Sequence, residues 1–383
     1  MKRNYIAKRF QNAGSGLTLD TEALAKYKDI IDLSIGDTDF ITDEGIINAA
    51  FRDAKAGYTR YGDPKGDPEL IDAVCRAWQE DFEQKLPHDH VLVSASSCLG
   101  MALVMFSILD PGDEVIVFSP YFPMYRTQIE LAGGVCVDVP TYASEDYAID
   151  EARLRAAITP RTKAIIFNNP TNPTGMAYGN DTLEMLARVA KEYDLLIAAD
   201  KIYTTYLYEG DFRPLRTLSG MAERTITLNS FSKNFLMTGW RVGVIIAVPE
   251  LLEVMNDING SLIYTAPSIS QRAAIHALSM RREIREKYVT AYRDRIFYTA
   301  DRIEKIPYLS LVRPKGTFYL FPGIEKTGLT DDEFCNVLLD KAHVLVSHGK
   351  AFGTAGAGHF RIACTVGIDT LKIAFDRMEK LSF

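Results

Sequence analysis

Between Val91 and Ile246 the sequence repeats one alternation: a short apolar run, a turn breaker, then a stretch with helical spacing. Runs of Val, Ile and Leu without polar alternation suit strands buried on both faces, and such strands occur in parallel sheets covered by helices. The runs lie at Val91 to Ser94, Glu114 to Phe118, Val135 to Val139, Lys163 to Phe167, Leu195 to Ala199, Thr225 to Leu228 and Val242 to Ala247. Pro111-Gly112, Gly133-Gly134 and Asn-Pro dipeptides stand between them, where chain reversal needs them. The pattern predicts an α/β fold with a mainly parallel sheet between helices. Ligands of such sheets bind at the carboxyl ends of the strands, so residues just after each run are the first candidates for a site.

After Pro249 the pattern changes. A long charged amphipathic helical stretch from Ile269 to Ile306 is followed by expected strands at Leu309 to Val312, Thr317 to Phe321, His343 to Val346 and His359 to Ala363. Helical spacing returns at Asp331 to Lys341 and Gly367 to Lys380, which predicts a smaller α+β lobe. At 383 residues the chain exceeds the roughly 250–300 at which a single core stops growing. Two lobes are expected, and the lack of a repeat, low-complexity tract or flexible linker predicts that they share one folded body.

A net charge of -7 disfavours nucleic acid or an anionic membrane as partner, so any anion site is local. The cysteines Cys75, Cys98, Cys136, Cys335 and Cys364 are odd in number and widely spaced, which predicts buried thiols, no disulfide framework and no metal site. Met1-Lys2-Arg3-Asn4-Tyr5 is basic but no apolar stretch follows, and no window approaches 18 apolar residues; a cytoplasmic location is expected.

Lys233 stands in Ser230-Phe231-Ser232-Lys233-Asn234-Phe235, just after an apolar run, with Arg241 close behind. A lysine among small hydroxyl residues is placed to form an imine with a carbonyl cofactor, and an arginine nearby can hold a phosphate. That pairing suggests pyridoxal phosphate. Alone, a loop lysine is usually a solvated charge; other segments change the balance. Ser94-Ala95-Ser96-Ser97-Cys98-Leu99-Gly100 precedes an apolar helix, where backbone N–H groups and hydroxyls can approach a phosphate. Asp200 ends a strand and can pair with a protonated pyridine nitrogen, keeping the ring an electron acceptor. Asn168-Asn169-Pro170-Thr171-Asn172-Pro173-Thr174-Gly175 is the most specific loop, its prolines restraining the backbone so that an amide can be aimed at a ligand oxygen. Phe122 can stack on an aromatic cofactor, and Arg361, a charge in an apolar run, offers a fork for a carboxylate. Each also has a plain structural reading as cap, core ring or ion pair.

With these residues in place, the chain resembles the pyridoxal-phosphate-dependent class I and II aminotransferases of the aspartate aminotransferase fold. The resemblance runs from about Asp32 to the C-terminus and is strongest at Asn169 to Gly175, Ala199-Asp200-Lys201-Ile202-Tyr203, Ser230 to Phe235 and Gly239-Trp240-Arg241-Val242-Gly243. It implies a large cofactor-binding domain over 45–275, a small C-terminal domain over 276–383, and a segment 1–44 packing with the small domain. It further implies that Lys233 forms the internal aldimine and moves the proton between substrate Cα and the cofactor. Asp200 takes the ring nitrogen, Asn172 and Tyr203 the phenolic oxygen, and Phe122 the stacking position. Ser96, Ser97, Cys98, Ser230 and Arg241 cradle the phosphate, and Arg361 grips the α-carboxylate beside the glycine strand Leu33-Ser34-Ile35-Gly36-Asp37, with Gly36 and Asn172 on the substrate side.

Tyr61 and Thr265 resemble phosphate ligands offered to the neighbouring subunit, which implies a homodimer with shared active sites. Three positions depart from the pattern. Cys98 stands where some members carry a lysine for a second substrate carboxylate, Ser261 where others present an arginine, and Lys201 where an acidic residue is frequent. The implied activity moves an amino group from an L-amino acid to a 2-oxo acid. One alternative is a carbon–sulfur β-lyase on the same fold; another is a cofactor-sensing regulatory module, which would need an attached domain.

Overall fold

The computed structural model describes residues 5–7 and 26–383. Part of the expected 1–44 segment thus lies outside the described residues. Its described part includes the first strand, β1 (Ile31–Asp32). The seven apolar runs all form strands: β2 (Val91–Ser94), β3 (Glu114–Ser119), β4 (Val135–Pro140), β5 (Thr162–Asn168), β6 (Leu196–Asp200), β7 (Thr225–Ser230) and β8 (Gly243–Ile246). They make one sheet in the order β2-β8-β7-β6-β5-β3-β4. β8 runs antiparallel to both neighbours and every other pairing is parallel, so the sheet is mainly parallel as the unbroken apolar runs predict.

Side-chain alternation explains those runs. Val115 and Val117 point into one core with Leu103, Val104 and Ile166, while Ile116 points into the other with Ile165, Leu186 and Val189. Both faces are covered by helices, so a polar residue on either would be buried without a partner. Fully burying each such aliphatic side chain contributes about 1.5–3 kcal/mol.

The remaining strands are short: β9 (Tyr319–Leu320), β10 (Val344–Leu345), β11 (Ser347–His348) and β12 (Phe360–Ala363). β12 lies between β11 and β9, antiparallel to both, and β1 pairs in parallel with β10. Several expectations are corrected here. The stretch from Ile269 to Ile306 is two helices, Ser268–Ser279 and Arg281–Ile303, because Met280 at φ -99°, ψ 8° leaves the helical well. Leu309 to Val312 forms no strand; Leu309 N–H turns back onto Ile306 and only Ser310 bridges, to Gly323. Thr317 and His343 adopt positive φ (61° and 54°), which trims the strands expected there to β9 and β10. The helix at Asp331–Val337 widens into a π-turn over Leu338–Ala342. No helix among the described residues is long and apolar enough to cross a membrane.

Candidate active site

A cavity of about 560 Å³ opens where the carboxyl ends of β2, β5, β6 and β7 face β1, β11 and β12. It is lined by Lys233, Asp200, Tyr203, Asn172, Phe122, Ser96, Ser97, Cys98, Ser230, Arg241, Gly36 and Arg361. All the residues expected within one subunit's site are therefore brought together. Tyr61 and Thr265 lie apart from it and beside each other's neighbours. Tyr61 is 83% exposed and meets the Tyr264 ring edge-on at 5.0 Å, and Thr265 Oγ1 donates to the Asp63 carbonyl at 3.2 Å.

The sheet positions the cofactor-side groups. Lys233 sits in a single helical turn, Phe231–Asn234, capped by Ser230 Oγ, which accepts from Ser232 N–H at 3.1 Å. Its Nζ donates to the Gly36 carbonyl. Asp200 is buried at the end of β6 and has no cationic partner among the described residues; burial pushes its carboxyl up to about 6, against hydrogen bonds from Tyr125 and the Ile202 backbone. Tyr125 Oη donates to Asp200 Oδ2 at 2.5 Å. Asn168 Nδ2 donates to the Asp200 carbonyl at 3.1 Å, and its Oδ1 accepts from Asn172 N–H at 2.8 Å, so the Asn-Pro loop is pinned to the strand that carries the acid.

A cradle forms at Ser96, which holds φ 91° ahead of the helix Ser97–Ile108. The first N–H groups of that helix have no intrahelical acceptors and carry partial positive charge. Gly243 lets β8 approach the turn: a Cβ there would meet Ser97 N at 2.7 Å. Arg241, exposed at the cavity mouth, donates through Nη1 to the Thr238 carbonyl at 2.9 Å.

On the far side, buried Arg361 donates to Asn172 Oδ1 at 2.9 Å, the Ser34 carbonyl at 2.5 Å and Ser347 Oγ at 3.3 Å, with its guanidinium 4.5 Å from the centre of the Tyr319 ring. Its Nε is buried without a partner. Burial lowers its pKa, since no carboxylate offsets the lost hydration. Asn172 also donates through Nδ2 to Tyr203 Oη at 3.5 Å, and Tyr203 Oη lies 3.2 Å from Tyr319 Oη. Burial first, then Tyr319, raises the Tyr203 phenol well above its usual range. Gly36 packs so closely on Tyr319 that a Cβ would fall 1.8 Å from its Oη.

Sequence reasoning missed Tyr125, Gln128, Tyr319 and Ser347. Tyr125 was findable: it stands in the first turn of the helix Met124–Leu131, just beyond Phe122, whose ring it meets edge-on at 5.6 Å. Gln128 Nε2 donates to the Cys98 carbonyl at 2.8 Å, a contact with no local signature. Lys201, the odd residue beside Asp200, points away into a cage of Trp78, Phe82 and Phe212, its Nζ 5.1–6.0 Å from the ring centres. Burial lowers that amine to about 8.

An amine, a buried acid, a helix N-terminus and a buried guanidinium stand around one cavity, groups suited to hold an anionic ligand at two points, and the class of protein is that of the aminotransferases. The sequence pattern of the class I and II aminotransferases matches residues 28–378. An aspartate aminotransferase of Pyrococcus abyssi is 36% identical over 373 residues, 93% of this chain and 92% of the relative. An aromatic-amino-acid aminotransferase of Thermococcus litoralis is 35% identical over 356 residues, 92% of this chain and 91% of the relative. The solved structure of Thermus thermophilus aspartate aminotransferase with maleate superposes with TM-score 0.93 at 32% identity, covering 99% of this chain and 100% of the other. The chain belongs to the class I and II aminotransferase family and has the fold of the pyridoxal-phosphate-dependent aspartate aminotransferases.

Proposed function

We propose that this aminotransferase uses pyridoxal phosphate, held through Lys233, to move an amino group from an L-amino acid to a 2-oxo acid. The observation that carries the reading is the pairing, in one cavity, of a buried acid with no cation and a buried guanidinium with an unpaired Nε. Each waits for a ligand group of opposite charge. The residues present fit the cofactor: Asp200 would pair with its ring nitrogen, Asn172 and Tyr203 would contact its phenolic oxygen, Phe122 would stack on its ring, and Ser96, Ser97, Cys98, Ser230 and Arg241 would hold its phosphate. When bound, the group supplies an electron sink for charge developing at the substrate Cα.

The chain's own residues do the rest. Arg361 fixes the α-carboxylate and so sets where Cα stands. The Lys233 amine, once freed from the cofactor, is the base that takes the Cα proton and returns it. Tyr125 holds Asp200 in its ionised form by donating to it. Tyr61, exposed, and Thr265, half-buried, stand outside the lining of their own cavity, which supports a homodimer in which each subunit reaches its partner's phosphate. Five free cysteines support a reducing, cytoplasmic setting.

The test is a half-reaction. Amino acids added to the loaded protein should discharge the cofactor absorbance with formation of the matching oxo acid, and Lys233→Ala should not do so. Release of pyruvate from cystathionine without any added oxo acid would favour β-elimination instead.

A further inference from the structure

Around Arg361 the cavity changes character. Ser34 and Ser347 hold the guanidinium Nη2, and their chain neighbours Ile35 and Val346 line the same cavity, together with Leu345 and Leu339. Ile35 leaves 46% of its surface uncovered, and Leu339 and Leu345 are half-buried. The other cations among the described lining residues each have a partner of their own. Lys233 Nζ is on the Gly36 carbonyl, Arg241 is at the cradle, and His348 Nδ1 is held 2.7 Å from Asp332 Oδ1. Position 98, expected among the buried thiols, is exposed and presents a thiol rather than a cation. Of the carboxylates that line the cavity, Asp37 stands two residues from Ile35 and is exposed, while Asp200 is buried at the end of β6.

We infer that the substrate side chain is apolar and uncharged, aliphatic or aromatic, and that Ile35, Leu339, Leu345 and Val346 form the surface that selects it. The inference rests on the aminotransferase reading above. With the α-carboxylate on Arg361, the side chain lies against this wall and covers apolar surface that is otherwise wet. A second carboxylate there would lose hydration with no unpartnered cation among the described lining residues to replace it, beside a like charge at Asp37. A cationic side chain would meet Asp37 as the exposed carboxylate of the described lining, where solvent screens the attraction.

Two measurements on the cofactor-loaded protein test this. Calorimetric titration with the unreactive carboxylates 3-phenylpropionate and maleate needs no turnover; 3-phenylpropionate should bind at least about tenfold more tightly. In the half-reaction, phenylalanine and leucine should discharge the cofactor at least about 100-fold faster per unit concentration than aspartate, glutamate, arginine or lysine. Leu339→Arg should shift both ratios towards the dicarboxylates. Equal or tighter binding of maleate, or faster conversion of aspartate or arginine, overturns the inference and leaves transamination standing. If no amino acid discharges the cofactor, the aminotransferase reading fails and takes this one with it.

Discussion

The two sides of the cavity are built on different principles. The cofactor side rests on strands of four to seven residues buried on both faces, whose ends deliver Ser94, Asn168, Asp200 and Ser230 in register. The substrate side rests on β1, β10 and β11, each of two residues, and is held by side-chain bonds to Arg361 rather than by ladder length. A long central sheet places groups whose chemistry is common to many reactions. Short edge pairings can be rebuilt without disturbing it, so that side is where we place specificity.

Breaking the cofactor side should give the largest effect. Lys233→Ala should lower transamination by at least about 10⁴-fold, because proton transfer at Cα has no other amine nearby. Binding of 3-phenylpropionate on the opposite wall should survive, and its loss would show that the two sides are not separable. Arg361→Leu should lower kcat/KM by an amount equivalent to about 2–5 kcal/mol while leaving cofactor affinity intact; steady-state kinetics and a cofactor titration read the two. A parallel fall in cofactor affinity would merge the two sides into one unit.

Asp200 sharpens the comparison through pH. Burial raises its carboxyl from 3.8 to about 6, so the folded, unloaded protein binds this proton more tightly than the unfolded chain does. Its charge therefore costs stability above that pH, and the cost fades as pH falls towards 3.8. Unloaded Asp200→Asn should be more stable than the parent at about pH 8, by on the order of 2–3 kcal/mol, with the gap closing near pH 4.5. Urea midpoints at the two pH values decide it; a gap independent of pH would remove the argument. The smallest effect belongs to Tyr125→Phe, which deletes one donor to a charged group. Cofactor affinity near neutral pH should weaken by the equivalent of about 1.5–3 kcal/mol at most, and the pH at which affinity is half-lost should move upward.

The same contrast governs what could be read beforehand. Ile165, Ile166 and Ile197 lie in runs with no polar alternation, so their strands, and the residues just beyond them, were legible. Lys233 and Asp200 were found because each follows such a run. Tyr319 and Leu339 fall inside the strand and helix expected at Thr317 to Phe321 and Asp331 to Lys341, but the two-residue strand and the π-turn that carry them, like β11 for Ser347, leave no sign of which side chain lines the cavity. Thr317 and His343 take left-handed backbone without being glycine, so the trimming of β9 and β10 had no sign in residue type. The break at Met280 is equally silent, since helical spacing continues across it.

The pairing of β1 with β10 has a consequence for how the protein is made. On a ribosome, Ile31 and Asp32 emerge early and stay without their strand partner until Val344 and Leu345 follow. Ser96, Asp200 and Lys233 are all translated before Arg361, so the residues proposed to hold the vitamin-derived group are synthesised ahead of the proposed carboxylate anchor.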